Sequence, residues 1–283
     1  MPKRLSVQVQ GFDTGRMASG IDLASQSSVP VEKPKVALMV DSPFSSYTAG
    51  QIWFLFDQWT EFGISRLRSD ALSDVDLSEY DVLVLPGAWG GYSSVLDSSA
   101  VDRLKGWIRR GGTLVATEDA AEFATKDQSG LTSVELVEEE SEEEEKASDA
   151  VDPEAYTTYA AREDTAGLKR IPGSAFKGHI DNTNPLAFGV PDRLYSLKFS
   201  DEALQPSTDW QLVGYYDRDP ESVMAAGYAS RRNREACGRK GFAGVQEIGS
   251  GKVVFLLDNT QYRMFWVGPA RMMQNAVMLL PDM

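Results

Sequence analysis

Three short apolar runs constrain this 283-residue chain more than any other feature. KVALMVD (35–41), YDVLVLPG (80–87) and TLVAT (113–117) lack an alternating polar face, as strands buried on both sides do. Helical signals lie between them. In SSYTAGQIWFLFDQWTEFG (45–63), Ser45 or Ser46 can cap, Ile52, Leu55, Phe56 and Trp59 form a stripe, and Gly63 ends the helix. In SSAVDRLKGWIRRGG (98–112) the stripe is Val101, Leu104, Trp107 and Ile108, with Gly111 past its end. ISRLRS (64–69) reads as a further short strand. Buried strands alternating with amphipathic helices predict an α/β fold with a doubly wound, mostly parallel sheet.

Outside this alternation the chain changes character. Residues 1–33 are polar and mixed, and read as an N-terminal arm or linker ahead of a domain at 34–283. Residues 126–170 read as an acidic, partly helical insertion, its helix at Asp152–Gly167 with Pro153 in the first turn. The sheet resumes at SAFKGHID (174–181). A hairpin in GFAGVQEIGSGKVVFLLDN (241–259) is expected to turn at Gly249-Ser250-Gly251, and a last helix at 269–280 to bury Met272, Met273, Ala276 and Leu279.

Charge and rare residues exclude several chemistries. The net charge is −14, of which eight Glu lie in ELVEEESEEEE (135–145), leaving −6 on the remainder. That balance excludes a nucleic-acid partner, which needs a basic face. A single Cys, Cys237, excludes an intrachain disulfide, and a single His, His179, excludes zinc sites built on two imidazoles. The N-terminus lacks the apolar core of a signal peptide, and no run reaches membrane-spanning length, so the chain is expected to be soluble.

Five stretches together resemble the class I glutamine amidotransferase-like (flavodoxin-like) domain: KPKVALMVD with SSYTAGQIWFLFDQ, YDVLVLPGAWGGY, LKGWIRRGGTLVAT, HIDNTNPLAFGV and GSGKVVFLLDNTQYRMFWVGPARMMQNAV. They are most similar to the variant appended to the C-terminus of bacterial zinc carboxypeptidases of the carboxypeptidase A type (peptidase M14), where a phrase like GIDLAS (20–25) joins the two parts. The resemblance covers residues 20–283. It implies a nucleophilic Cys at the elbow after TLVAT, but Glu118 and Asp119 stand there. It implies a general-base His near LLDNTQY (256–262), where Asp258 stands and no His does. A thiolate–imidazole pair cannot be assembled. What the resemblance implies is therefore an accessory or interaction domain lacking both the Cys-His-Glu triad and the zinc site. Its partner would be a peptidase domain upstream, in a metallocarboxypeptidase that is periplasmic or secreted.

The residues themselves leave other readings open. Glu118 and Asp119 are weak catalytic candidates, set against a simpler role capping the next helix. Asp41 and Asp258 end predicted strands and could approach the same rim, or simply cap turns and pair with Arg263 or Arg271. No calcium-loop spacing supports a metal there, and no cofactor motif is present. In the glycine-rich loop PGAWGGYSS (86–94), Trp89, Gly90 and Tyr92 are candidate contacts for a small polar ligand or glycan. His179 and Asp181 share a strand face, where a structural His is the simpler reading. Cys237 is expected in a loop, where Arg234, Arg239 and Lys240 could lower its thiol pKa, but a bystander thiol is the simpler reading. The alternatives to an accessory domain are a hydrolase using rim carboxylates and a ligand- or glycan-binding module.

Overall fold

The computed structural model describes residues 10–137, 158–162, 167–168 and 170–283, apart from 24, 27 and 29. Most of the acidic run and of the helix expected at 152–167 lies outside these residues. Among the described residues ten strands form one sheet: β1 (Val36–Val40), β2 (Ser65–Arg68), β3 (Val82–Leu85), β4 (Thr113–Thr117), β5 (Ser174–Ile180), β6 (Arg193–Lys198), β7 (Gln211–Tyr216), β8 (Met224–Ala226), β9 (Gly241–Ile248) and β10 (Gly251–Leu256). Their order is β2-β1-β3-β4-β10-β9-β7-β5-β6, with β8 pairing β5. From β2 to β10 every pairing is parallel, and from β10 onward every pairing is antiparallel.

The helices are α1 (Ser46–Phe54), α2 (Ser98–Arg109), α3 (Asp119–Phe123), α4 (Arg231–Cys237) and α5 (Val267–Met278). The continuous apolar strands are explained by two cores, one on each face of the sheet. Val36 and Leu38 of β1 join Ile52, Leu55 and Phe56 of the α1 segment and Met272 and Met273 of α5. Ala37 and Met39 face the other way, packing with Leu104, Trp107 and Ile108 of α2. The β9–β10 turn falls at Gly249 and Ser250, where Gly249 takes φ 66°.

Two sequence expectations fail locally. Trp59 does not continue the α1 stripe and is 54% exposed. The chain widens into a π-helical turn over Leu55–Trp59, and the extra residue per turn rotates Trp59 off the buried face. Cys237 is in α4 rather than a loop, and it is fully buried. Burial pushes its thiol pKa up, although Lys198 pulls in the other direction, which goes against an activated thiol and with the simpler reading of a bystander.

Candidate functional site

A cavity of about 650 Å³ opens at the C-terminal rim of the parallel strands, the ligand-binding edge of open α/β sheets. The first turns of α1 contribute Ser45, Tyr47, Thr48 and Gln51, and the loop after β3 contributes Gly87, Ala88 and Trp89. The turn after β4 adds Glu118, Asp119 and Glu122, and the segment after β10 adds Asn259, Tyr262 and Arg263. Phe199 and Ser200 reach it from just beyond β6.

Glu118 occupies the sharp turn between β4 and α3 at φ 53°, ψ −130°, the strained strand-to-helix geometry of a nucleophile elbow. Its backbone N–H donates to Leu256 O at 3.0 Å, tying the turn to β10. The side chain is held at both oxygens. Thr48 Oγ1 donates to Oε2 at 2.5 Å, and Asn259 Nδ2 donates to Oε1 at 2.8 Å. The same Asn259 Nδ2 donates to Gln51 Oε1 at 3.0 Å. Glu118 therefore does not cap α3, which has no side-chain cap. The elbow backbone turns its carboxylate toward α1 and Asn259 instead.

Asp119 also turns away from its own helix. Its carboxylate accepts from the backbone N–H of Ala88 at 2.9 and 3.0 Å, so the anion cradled by the glycine-rich loop is a side chain of the protein. Gly87 makes this approach feasible. A Cβ there would lie 2.6 Å from Glu118 Oε2 and 3.0 Å from Asp119 Oδ1.

The three carboxyl groups are destabilised as anions. Burial raises the Glu118 pKa, opposed by its bonds from Thr48 and Asn259. Burial raises Asp119 to about 7, opposed by the Ala88 amide and reinforced by Glu118. Burial raises Glu122 to about 7, reinforced by Glu202 and Asp119 and opposed by Lys198 and Ser200. Such raised carboxyls at a sheet rim are the pattern of acid–base and ligand sites.

Of the residues singled out from the sequence, Glu118, Asp119 and Trp89 line this cavity. Asp41, Gly90, Tyr92 and Asp258 do not. Asp41 is exposed and lies 3.7 Å from Arg68, not beside Arg263 or Arg271. Gly90 turns the loop at φ 85°. Tyr92 is buried, donating its hydroxyl to Pro86 O and stacking on Phe123, so it offers no exposed contact. Asp258 is buried beneath the rim, accepting from Ser196 at 2.5 Å and Tyr216 at 2.7 Å, with Lys198 Nζ 3.7 Å from its other oxygen. His179 stacks on Tyr215 and sits 3.7 Å from Asp217, not Asp181, whose carboxylate caps Thr183. Sequence reasoning missed Thr48, Gln51, Glu122 and Asn259. Only Glu122 carried a signal, lying one helical turn beyond Glu118 and Asp119. Among the described residues, no group of three or more His, Cys, Asp or Glu side chains could hold a metal ion, and no helix is long and apolar enough to cross a membrane.

No family model and no curated protein matches the chain. Solved structures do. A Thermoplasma acidophilum protein assigned to GMP synthase aligns over 87% of this chain and 94% of its own, with 10% identity and a TM-score of 0.50. A glutamine amidotransferase of Thermotoga maritima aligns over 80% and 76%, with 9% identity and a TM-score of 0.47. A β-galactosidase from Bacillus circulans sp. alkalophilus aligns over 88% of this chain and 31% of its own, with 12% identity and a TM-score of 0.49. The first of these likenesses speaks for the fold, which is the class I glutamine amidotransferase-like α/β fold.

Proposed function

We propose that this is an amidotransferase-like domain, residues 34–283 following an arm at 1–33, which has exchanged glutaminase chemistry for binding a small polar ligand in the rim cavity. One observation carries the reading. The elbow residue is Glu118, with both carboxylate oxygens engaged by Thr48 and Asn259. The loop amide beside it, on Ala88, is likewise engaged by Asp119. A carboxylate locked by two donors is a poor nucleophile, and an occupied amide cannot stabilise an oxyanion. The cavity that remains has polar groups converging between exposed aromatic rings, the make-up of a ligand pocket.

Two tests bear on this. Incubated with L-glutamine, the purified chain is expected to release no ammonia above a buffer control; turnover abolished by Glu118→Gln would overturn the reading. Ligand binding is expected to quench Trp89, and the quench to vanish in Trp89→Phe. An accessory role beside a zinc carboxypeptidase is supported by the phrase-by-phrase sequence resemblance alone. It predicts that a co-expressed peptidase domain of that type is captured by this chain.

A second reading is favoured by a specific observation. Asp119 and Glu122 both hold pKa values raised to about 7, suited to proton transfer near neutrality. A hydrolase built on them would show a rate that depends on pH near 7 and is lost in either Asp119→Asn or Glu122→Gln.

A further inference from the structure

The cavity is rich in acceptors and poor in cations. Asn259 lines it at only 6% exposure, with its amide nitrogen already committed to Glu118 and Gln51. Its Oδ1 has no hydrogen-bond partner among the described residues, and a buried acceptor in that state calls for a donor. Among the described residues, none of Glu118, Asp119 and Glu122 has a basic side chain within ion-pair distance. The one cation on the lining, Arg263, has its guanidinium over the Tyr262 ring, 5.3 Å from the centroid. The mouth is aromatic and open: Tyr47 is 70% exposed and Trp89 60%, set edge to face at 6.1 Å.

Resting on the reading of this cavity as a ligand site, we propose that its ligand presents a primary ammonium group on an apolar or aromatic body. The ammonium donates to Asn259 Oδ1 and to the Asp119 and Glu122 carboxylates, and the body lies against the exposed Tyr47–Trp89 pair at the mouth. Three N–H donors match the acceptors on offer. A neutral polyol could donate to Asn259 but would leave the carboxylates without a counter-charge. Entry of a cation also reverses the burial penalty on those carboxylates.

The test uses the full chain and four probes: benzylamine, benzyl alcohol, benzoate and Nα-acetyl-lysine methylamide, titrated by ligand-observed NMR and Trp89 quenching at pH 8. Benzylamine is expected to bind at least about tenfold more tightly than benzyl alcohol, since one charge-assisted contact is worth about a factor of ten. Its affinity is expected to fall about tenfold between pH 8 and pH 6, as groups titrating near 7 take up protons. The charges facing them are Glu118, acting on Asp119, and Glu202, acting on Glu122, opposed by Lys198, with Arg263 on the same lining, while burial pushes the Tyr92 phenol well above its ordinary value. Glu122→Gln is expected to abolish amine binding without lowering the melting temperature, which a purely structural carboxylate would not allow. Preferential binding of the lysine derivative over benzylamine identifies a peptide side chain as the source of the ammonium. Equal or tighter binding of benzyl alcohol or benzoate overturns the ammonium inference and leaves the ligand site standing. No saturable, Trp89-dependent binding by any of the four overturns both.

Discussion

Glu118 keeps a backbone conformation that costs any residue with a Cβ about 1–3 kcal/mol. The bond to Leu256 O and the two side-chain donors hold it there. Gly87 leaves room for the carboxylate that this turn presents, so Gly87→Ala is expected to destabilise by about 1–3 kcal/mol, as overpacking does. A denaturant titration measures this, and the cost should shrink when Glu118→Ala removes the oxygen 2.6 Å from the new Cβ. The carboxyls beneath make a second prediction with a definite sign. Asp119 and Glu122 titrate near 7 when folded, above their ordinary values of 3.8 and 4.5. Between those values the folded state holds protons that the unfolded state has lost, so stability falls as pH rises. For Glu122 the loss amounts to about 3 kcal/mol at most, complete above pH 7. Melting curves from pH 5 to 8 should slope downward, and Glu122→Gln should flatten the slope. A slope that Glu122→Gln leaves unchanged would place the raised proton elsewhere. The position of the elbow was legible from TLVATED, because strand, turn and helix are local. The destination of Glu118 was not, since its partners Thr48 and Asn259 lie 70 and 141 residues away in sequence.

At the scale of elements, α1 connects local chemistry to the cavity. Its N-cap Ser45 accepts from the Thr48 amide at 3.3 Å, and Thr48 in turn donates to Glu118. One short hydroxyl thus sets the first turn that presents Tyr47, Thr48 and Gln51 to the lining. Replacing a Ser cap by Ala costs about 1 kcal/mol. Ser45→Ala is therefore expected to lower stability by that amount and to speed hydrogen exchange at the Thr48 and Ala49 amides. Unchanged exchange there would mean that packing, not the cap, fixes the turn. Ser45, the α1 and α2 stripes and the parallel strands were readable because caps and periodicity act within a few residues. Trp59 was misread for a complementary reason. The stripe assumes 3.6 residues per turn, and the π turn at Leu55–Trp59 breaks that period without a sequence mark such as Gly or Pro. Tyr92 was misread because a loop residue carries no periodicity to report burial, and only the fold shows Phe44 and Phe123 around its ring.

Across the whole molecule, a parallel half, β2 to β10, is continued by antiparallel strands into one sheet, and the rim cavity draws on both, from α1 to Phe199 beyond β6. The two halves are joined beneath it by a polar knot inside the apolar core. Lys198 at the end of β6 and Asp258 after β10 are both buried, 3.7 Å apart. Ser196 and Tyr216 donate to Asp258, and Lys198 donates to Glu202 O and, at 3.2 Å, to the Tyr216 hydroxyl. A buried pair of this kind gains little over a well-packed apolar pair, but removing one partner leaves a charge without compensation and costs about 3–5 kcal/mol. Lys198→Met is therefore expected to destabilise by that amount, and adding Asp258→Asn should restore a substantial part, because the orphaned charge disappears. Chemical denaturation of wild type, both single variants and the double variant closes the cycle. A knot that couples the halves also requires one cooperative transition in the wild type, seen alike by tryptophan fluorescence and by circular dichroism. Because Asp258 raises the Glu118 pKa, the double variant should make Glu118 easier to ionise. That would appear as a difference in the pH dependence of stability between the double variant and Lys198→Met, which both lose the pull of Lys198 on Glu122 and differ in the Asp258 carboxylate. Additive costs and an unchanged pH profile would instead make the pair two independent core residues, with the rim insulated from the sheet below it.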